Sequence, residues 1–518
     1  MEPNYVIWVK NALELCVKAL QREDKLMKEE FTEPAEEFSS FSPQEKQAVF
    51  ELMENSLQDH RALVCVYSCI IQNTDLQEFE KLLMNHILSC NYDVLSGCML
   101  ELQVVKTIMG CYQEKRSLHR SNAEKLRRAI GREQFYIPVE SRNSKRIVII
   151  TEQLSAVLLH APTAVTLNIA YILKKHLHYE VFIFICPCDY KKIPEGMWYQ
   201  PMYTASVDGI RDMQIDIGYK DEVFPGYQIN MDTPDCIQKY GRMLEMIEEW
   251  NPAFVLGLGV ANPVLDLVNE ITTVAVMAMS TTCPLSDSEI LFRLARQEEE
   301  KEREYEAELN QNQRQIFMGQ NLPVIVEGQE NRKYSRAGLG LPSDKFIIVI
   351  VGNRLDIEID EKFIALMKSV LTENPDCVFS IIGEVIELKK YFGGMEYQNK
   401  IFYLGYCPDL LGTYGVMDLY LNPERAGGGW SSAMALMAGV PVVTFPNCDV
   451  AYNVGERFVV SDYTEMEAVI NKYVTEQDFM KGMKQYAGEC GTGNAEEKMI
   501  KFVQSMVDGI NAVLEGNK

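Results

Sequence analysis

The feature that most constrains this chain is a pattern that occurs twice: short apolar, β-branched runs alternating with segments of helical period. The first set is RIVIIT (146–151), EVFIFICPC (180–188), PAFVLGLG (252–259) and TTVAVMAM (272–279). The second is KFIIVIVGN (345–353), CVFSIIGE (377–384), KIFYLGY (400–406), DLYLNP (418–423) and PVVTF (441–445). Strands that are apolar along their whole length have both faces covered, and strands alternating with helices build parallel sheets. The reading is α/β: two Rossmann-like domains in tandem. Ligands meet such sheets at the carboxyl ends of the strands, so the tandem predicts a cleft between them.

Around this pattern the chain divides into five parts. Residues 1–143 read as helices, with apolar residues three and four apart, and carry no chemistry of their own. Residues 144–283 hold the first Rossmann-like domain and 337–490 the second. The stretch 284–336 includes LFRLARQEEEKEREYEAELNQNQRQ (291–315) and reads as a charged helical linker; 491–518 reads as a C-terminal helix.

The formal net charge of −24 disfavours nucleic acid or an anionic membrane as main partner. No run of eighteen apolar residues and no basic-then-apolar leader stand in the sequence, so a cytoplasmic protein without a membrane span is expected. Fourteen cysteines are scattered through apolar surroundings, as reduced thiols are. Cys186 with Cys188 and Cys65 with Cys69 are the close pairs; neither has a second pair at zinc spacing, so no metal site is expected.

Chemistry concentrates in LNPERAGGGWSSAMALMAGVPVVTF (421–445), which reads strand, loop, helix, strand. Gly427, Gly428 and Gly429 permit positive φ and close backbone approach. Trp430, Ser431 and Ser432 open a helix whose free amides form an anion site, to which the serine hydroxyls can add donors. With Arg425 just before it, the turn reads as a cradle for a diphosphate rather than an ordinary tight turn.

The motif P-x-R-x-G-G-G-x-S followed by A-L-x-x-G-x-P-V-V resembles the C-terminal nucleotide-binding domain of GT-B glycosyltransferases, most clearly over residues 337–470. The resemblance implies a glycosyltransferase of hexosyl type that uses a nucleotide diphosphate sugar, UDP-linked, as donor substrate and no cofactor. It places Asn353 and Arg354 at the loop after the first strand, with the arginine on the donor diphosphate. It makes Tyr406 a contact of the nucleobase, the other reading being a packing tyrosine. His-Ala-Pro-Thr at 160–163 is similar to a loop of the protein O-GlcNAc transferase family, which makes His160 a catalytic candidate facing sugar and acceptor. Its other reading is a helix-entry histidine satisfied locally.

The chain also departs from the family. Two glutamates expected eight positions apart are Ala426 and Met434, which disfavours the common retaining branch and leaves the ribose hydroxyls without their acid. Glu424, Glu456 or Asp462 could supply a carboxylate from nearby loops. No Asp-x-Asp triplet suits a metal-bound diphosphate, so metal-independent transfer to a hydroxyl on a protein or glycan acceptor is expected. The alternative is a non-catalytic glycosyltransferase-like subunit that binds a partner or an acceptor. A nucleotide-sugar epimerase of the same fold is a third reading that lacks its carboxylates. Homo- or hetero-oligomers through the N-terminal helices stay open.

Overall fold

The computed structural model describes residues 3–22, 28–56, 60–74, 79–108, 110–155, 160–186, 212–229, 235–319, 322–323, 325, 333–352, 355–383, 385–425, 427–446, 448–491 and 495–516. Among them seven α-helices lie between Asn4 and Ile130. Their apolar stripes meet in one core around Trp8, Phe38 and Phe50, with the Trp8 and Phe38 rings 5.1 Å apart. No described helix is long and apolar enough to cross a membrane.

The first sheet has eight strands: β1 Asn143–Thr151, β2 Glu180–Ile185, β3 Gln214–Tyr219, β4 Glu222–Gln228, β5 Pro252–Leu258, β6 Val274–Met277, β7 Ile290–Arg293 and β8 Arg314–Phe317. Their order is β3-β4-β2-β1-β5-β6-β7-β8, parallel except for the β3–β4 hairpin. The second sheet is β11-β10-β9-β12-β13, all parallel, from β9 Phe346–Val351, β10 Cys377–Ile382, β11 Ile401–Gly405, β12 Leu419–Leu421 and β13 Val442–Val443. Strand order reverses beside β1 in the first sheet and beside β9 in the second. At such switch points neighbouring loops part and leave a crevice at the strand ends.

The stretch 284–336 is not a charged helical linker. It supplies β7 and β8 to the first sheet, and only Glu299–Ala307 within 291–315 is helical. The physical reason is a buried ion pair. Arg293 is fully buried and donates to Glu302 at 2.7 Å, so charges that read as solvated in sequence are internal. The C-terminal helix Ala495–Gly516 returns to the first domain. Its stripe of Met499, Phe502, Met506, Ile510 and Leu514 shares a core with Ile147, Ile149 and Phe254.

The last of the seven N-terminal helices, Tyr112–Ile130, docks the helical region on the first sheet domain. His119 lies fully buried between Glu101 (2.5 Å) and Asp266 (3.1 Å). Burial works against its charged form, but the two carboxylates prevail and raise its pKa to about 10.

Candidate active site

The loop after β12 is built around Arg425. Its Nε donates to Asn422 Oδ1 (2.9 Å), Nη1 to Glu358 (2.7 Å), and Nη2 to the Val351 carbonyl (2.8 Å) and the Tyr420 hydroxyl (2.9 Å). The guanidinium is thus a brace that ties the loop to the end of β9. Glycine is required where the chain wraps round it. Gly428 has φ 83°, and a Cβ there would stand 2.8 Å from Nη2. A Cβ on Gly352 would stand 2.5 Å from Nη1.

The turn delivers the chain into helix Gly429–Met437. Ser432 is the first residue whose amide is met by the turn, donating to Gly428 O at 3.0 Å. The amides of Gly429, Trp430 and Ser431 have no intrahelical acceptor, as at any helix start. The serine hydroxyls are not free donors: Ser431 Oγ donates to Gly428 O and Ser432 Oγ to Gly429 O, both at 2.9 Å.

The turn faces the other lobe. Gly427, Gly428, Gly429 and Trp430 line a cavity whose opposite wall is Pro162, Val165, Met279 and Leu294. A larger cavity of about 450 Å³ adjoins it, with Gly427, Thr281 and Asp449 common to both. Its walls are Glu152 and Gln153 after β1, Gly259 to Ala261 after β5, and Arg425 after β12. These are loops of the two switch points, as the sheet topology requires. Across the cleft Tyr452 donates from its hydroxyl to Arg296 O at 3.2 Å.

Residues 331–489 match the family model for glycosyl transferases, group 1. A mutant of the Thermobaculum terrenum O-GlcNAc transferase is 12% identical, covering 99% of this chain and 98% of that one, with a TM-score of 0.58. A trehalose-6-phosphate synthase is 8% identical, over 71% of this chain and 99% of that one, with a TM-score of 0.51. Residues 331–489 thus carry a group 1 glycosyl transferase domain, and the whole chain has the two-domain GT-B fold. No curated protein matches it by sequence.

On this fold the sequence candidates fall in different places. Gly427 to Trp430 stand on the cleft, and Arg425 beneath them. His160 stands at the N-cap position of helix Ala161–Lys175 without a side-chain cap bond; its Nδ1 lies 2.9 Å from Thr163 Oγ1, which itself accepts from the Ser155 amide at 2.8 Å. Burial lowers the histidine's pKa, favouring the neutral ring. Its neighbours Ala161 and Pro162 line the cleft. Tyr406 is exposed beyond β11, and Glu424 and Glu456 are exposed on their loops. Glu456 opens a 3-10 turn and lines neither cavity. Asp462 is held as a helix cap, accepting from Glu465 N at 2.8 Å. Met434 is buried in the core of the second domain. Asn353, Arg354 and Ala426 lie outside the described residues.

Sequence reasoning missed Lys115, Glu152, Thr281, Lys301 and Asp449, which also line the larger cavity. No local signal marks them, because their neighbours in the cavity are far away in sequence. Among the described residues one group could hold a metal ion: Cys16, Cys65 and Cys69, with sulfurs within 4.8 Å of one another. They are buried in the helical core and line neither cavity, so they stand apart from the candidate site.

Proposed function

We propose that this protein is a glycosyltransferase that moves a sugar from a UDP-linked donor to a hydroxyl of a protein or glycan acceptor, without a metal ion or cofactor. One observation carries the reading: the glycine turn and the helix start at Gly429 and Trp430 open onto a cleft walled by the opposite lobe. Amides at a helix start, fixed before the reaction, stabilise the charge that gathers on a departing diphosphate. Arg425 holds the turn in shape, since Glu358 already balances its charge. Arg354 would meet the diphosphate directly and Asn353 would stand beside it. Tyr406 would meet the base. Ser431 and Ser432 would act by fixing the helix start, and Trp430 as a wall of the sugar site. With Met434 in the core and Glu456 away from both cavities, Glu424, next to Arg425, would take the ribose hydroxyls.

The acceptor would approach from the first domain. His160, with its neutral ring turned by Thr163, would accept the hydroxyl proton or hold a sugar oxygen there. The two solved relatives are named for different transfers, so neither sugar is carried over.

The test is calorimetric titration of the full chain with UDP, ADP and GDP, followed by an assay for hydrolysis or transfer with a panel of UDP-sugars after exhaustive chelation. UDP is expected to bind most tightly, with turnover surviving the chelator. Preference for another nucleotide would remove the donor assignment, and loss of turnover restored by a divalent cation would remove metal independence. A bound nucleotide with no turnover on any acceptor would leave a binding subunit instead.

A further inference from the structure

The end of the larger cavity formed by the helical region has a chemistry of its own. Lys115, on helix Tyr112–Ile130, is 7% exposed and lines that cavity. Its ammonium donates to the Ile108 carbonyl, and among the described residues no carboxylate pairs with it. An ammonium has three donors, so two stay unmatched in a site shielded from water. Burial accordingly brings its pKa down to about 8, against the pull of Glu80 and Glu304.

Lys301 of helix Glu299–Ala307 lines the same cavity, close enough that its charge also disfavours that of Lys115. Glu304 is already engaged, accepting from the Tyr112 amide at 2.9 Å. The cavity's acids stand elsewhere: Asp449 on the second lobe, bound by Thr281, and Glu152 on the loop after β1, packed over Gly259. Beside Lys115 the wall is apolar, made by Leu102, Val105 and Ile108. Glu80 and Glu304 act on Lys115 from outside the cavity, but among the described residues no carboxylate is bonded to either ammonium and none lines the cavity beside this apolar wall.

We infer that Lys115 and Lys301 bind an anionic group, phosphate or carboxylate, carried by the acceptor on an apolar frame. The inference rests on the cleft being the transfer site, and it makes the helical region part of the acceptor site. In the reading proposed above, the donor's own diphosphate would meet the helix start at Gly429 and Trp430, on the smaller cavity, where neither lysine stands.

The experiment uses the full chain as wild type, Lys115→Met, Lys115→Arg and Lys301→Met, each checked for an unchanged melting profile. Phenyl phosphate, benzoate and neutral phenol are titrated calorimetrically, and UDP in parallel. Phenyl phosphate or benzoate is expected to bind wild type and to lose about tenfold in affinity in each Met variant, as for one charge-assisted bond. Which of the two binds decides between phosphate and carboxylate. Lys115→Arg should restore part of the loss, phenol should not respond, and UDP affinity should stay within about twofold of wild type. Anion binding indifferent to both Met variants, or absent from wild type, would overturn the inference. So would UDP affinity falling in step with the anions, because the lysines would then serve the donor. Failure of wild type to bind UDP at all would instead fault the donor assignment, and the anion titrations would still decide this one.

Discussion

Asp449 Oδ1 accepts two hydrogen bonds from Thr281, one from its amide and one from its hydroxyl, each 3.2 Å long. Thr281 follows β6 in the first lobe, and Asp449 opens helix Asp449–Val454 in the second. Both residues line both cavities, so this contact sets the spacing of the cleft as well as joining its walls. Thr281→Val keeps the amide and loses the hydroxyl; Asp449→Ala loses both bonds. In a double-mutant cycle read by urea denaturation the pair is expected to couple by about 1 kcal/mol. Asp449→Ala should also raise KM for the donor more than it lowers kcat. Additive effects of the two substitutions would mean that the contact does not hold the lobes.

Gly428→Ala tests the turn. The position has φ 83°, and a Cβ would meet Arg425 at 2.8 Å. The left-handed backbone alone costs an alanine roughly 1–2 kcal/mol, and displacement of the guanidinium adds to it. Nucleotide affinity is expected to fall about tenfold, because the amides that follow lose their aim. Calorimetric titration with the nucleotide checks this, and an affinity equal to wild type would separate the turn from the diphosphate.

Arg425 bears on stability first. Its side chain is 4% exposed and that of Glu358 is 10% exposed. Removing one partner of a buried pair strands the other, at a cost of about 3–5 kcal/mol. Arg425→Met should therefore lower the denaturation midpoint strongly, and Glu358→Gln added to it should recover part of the loss. A full-stability Arg425→Met variant with weak nucleotide binding would restore the direct diphosphate contact expected from sequence.

Part of this architecture is legible in the sequence alone. The paired sheets were visible because each central strand is apolar on both faces, a local property. The glycine turn was visible because three glycines before a run of helix formers have few other uses. The hairpin β3–β4 was not read, since its alternating exposure leaves only a weak apolar signal. Strands β7 and β8 were hidden because Arg293 and Glu302 look solvated until their pairing is known. Arg425 could be named as a cation, but not as a spent one, because its partner lies 67 residues upstream. Lys115, Thr281 and Asp449 reach the cleft only by tertiary contacts, which no local pattern encodes.

The buried imidazole of His119 makes the docking of the helical region dependent on pH. Its pKa is about 10 in the folded chain and about 6.5 in an unfolded one. A folded pKa above the unfolded value means that the folded state binds the proton more tightly. The stabilisation is then complete below about pH 6.5, falls as pH rises, and is gone above about pH 10. Asp266 works in the opposite sense. Burial raises its pKa, but the charge and hydrogen bond of His119 outweigh this and hold it below the usual value. Its contribution is present at neutral pH and is lost only in acid. Urea denaturation from pH 6 to pH 10 should show stability declining across this window, by an amount on the order of several kcal/mol. His119→Gln should be less stable at pH 6 and should show a flatter profile. The helical region closes one end of the larger cavity through Leu102, Val105 and Lys115, so its release should also be felt in the cleft. Hydrogen exchange of helix Tyr112–Ile130 should therefore quicken towards pH 10, beyond the intrinsic effect of base, in wild type more than in the variant. Parallel stability profiles for wild type and variant would show that the proton on His119 does not hold the two parts together.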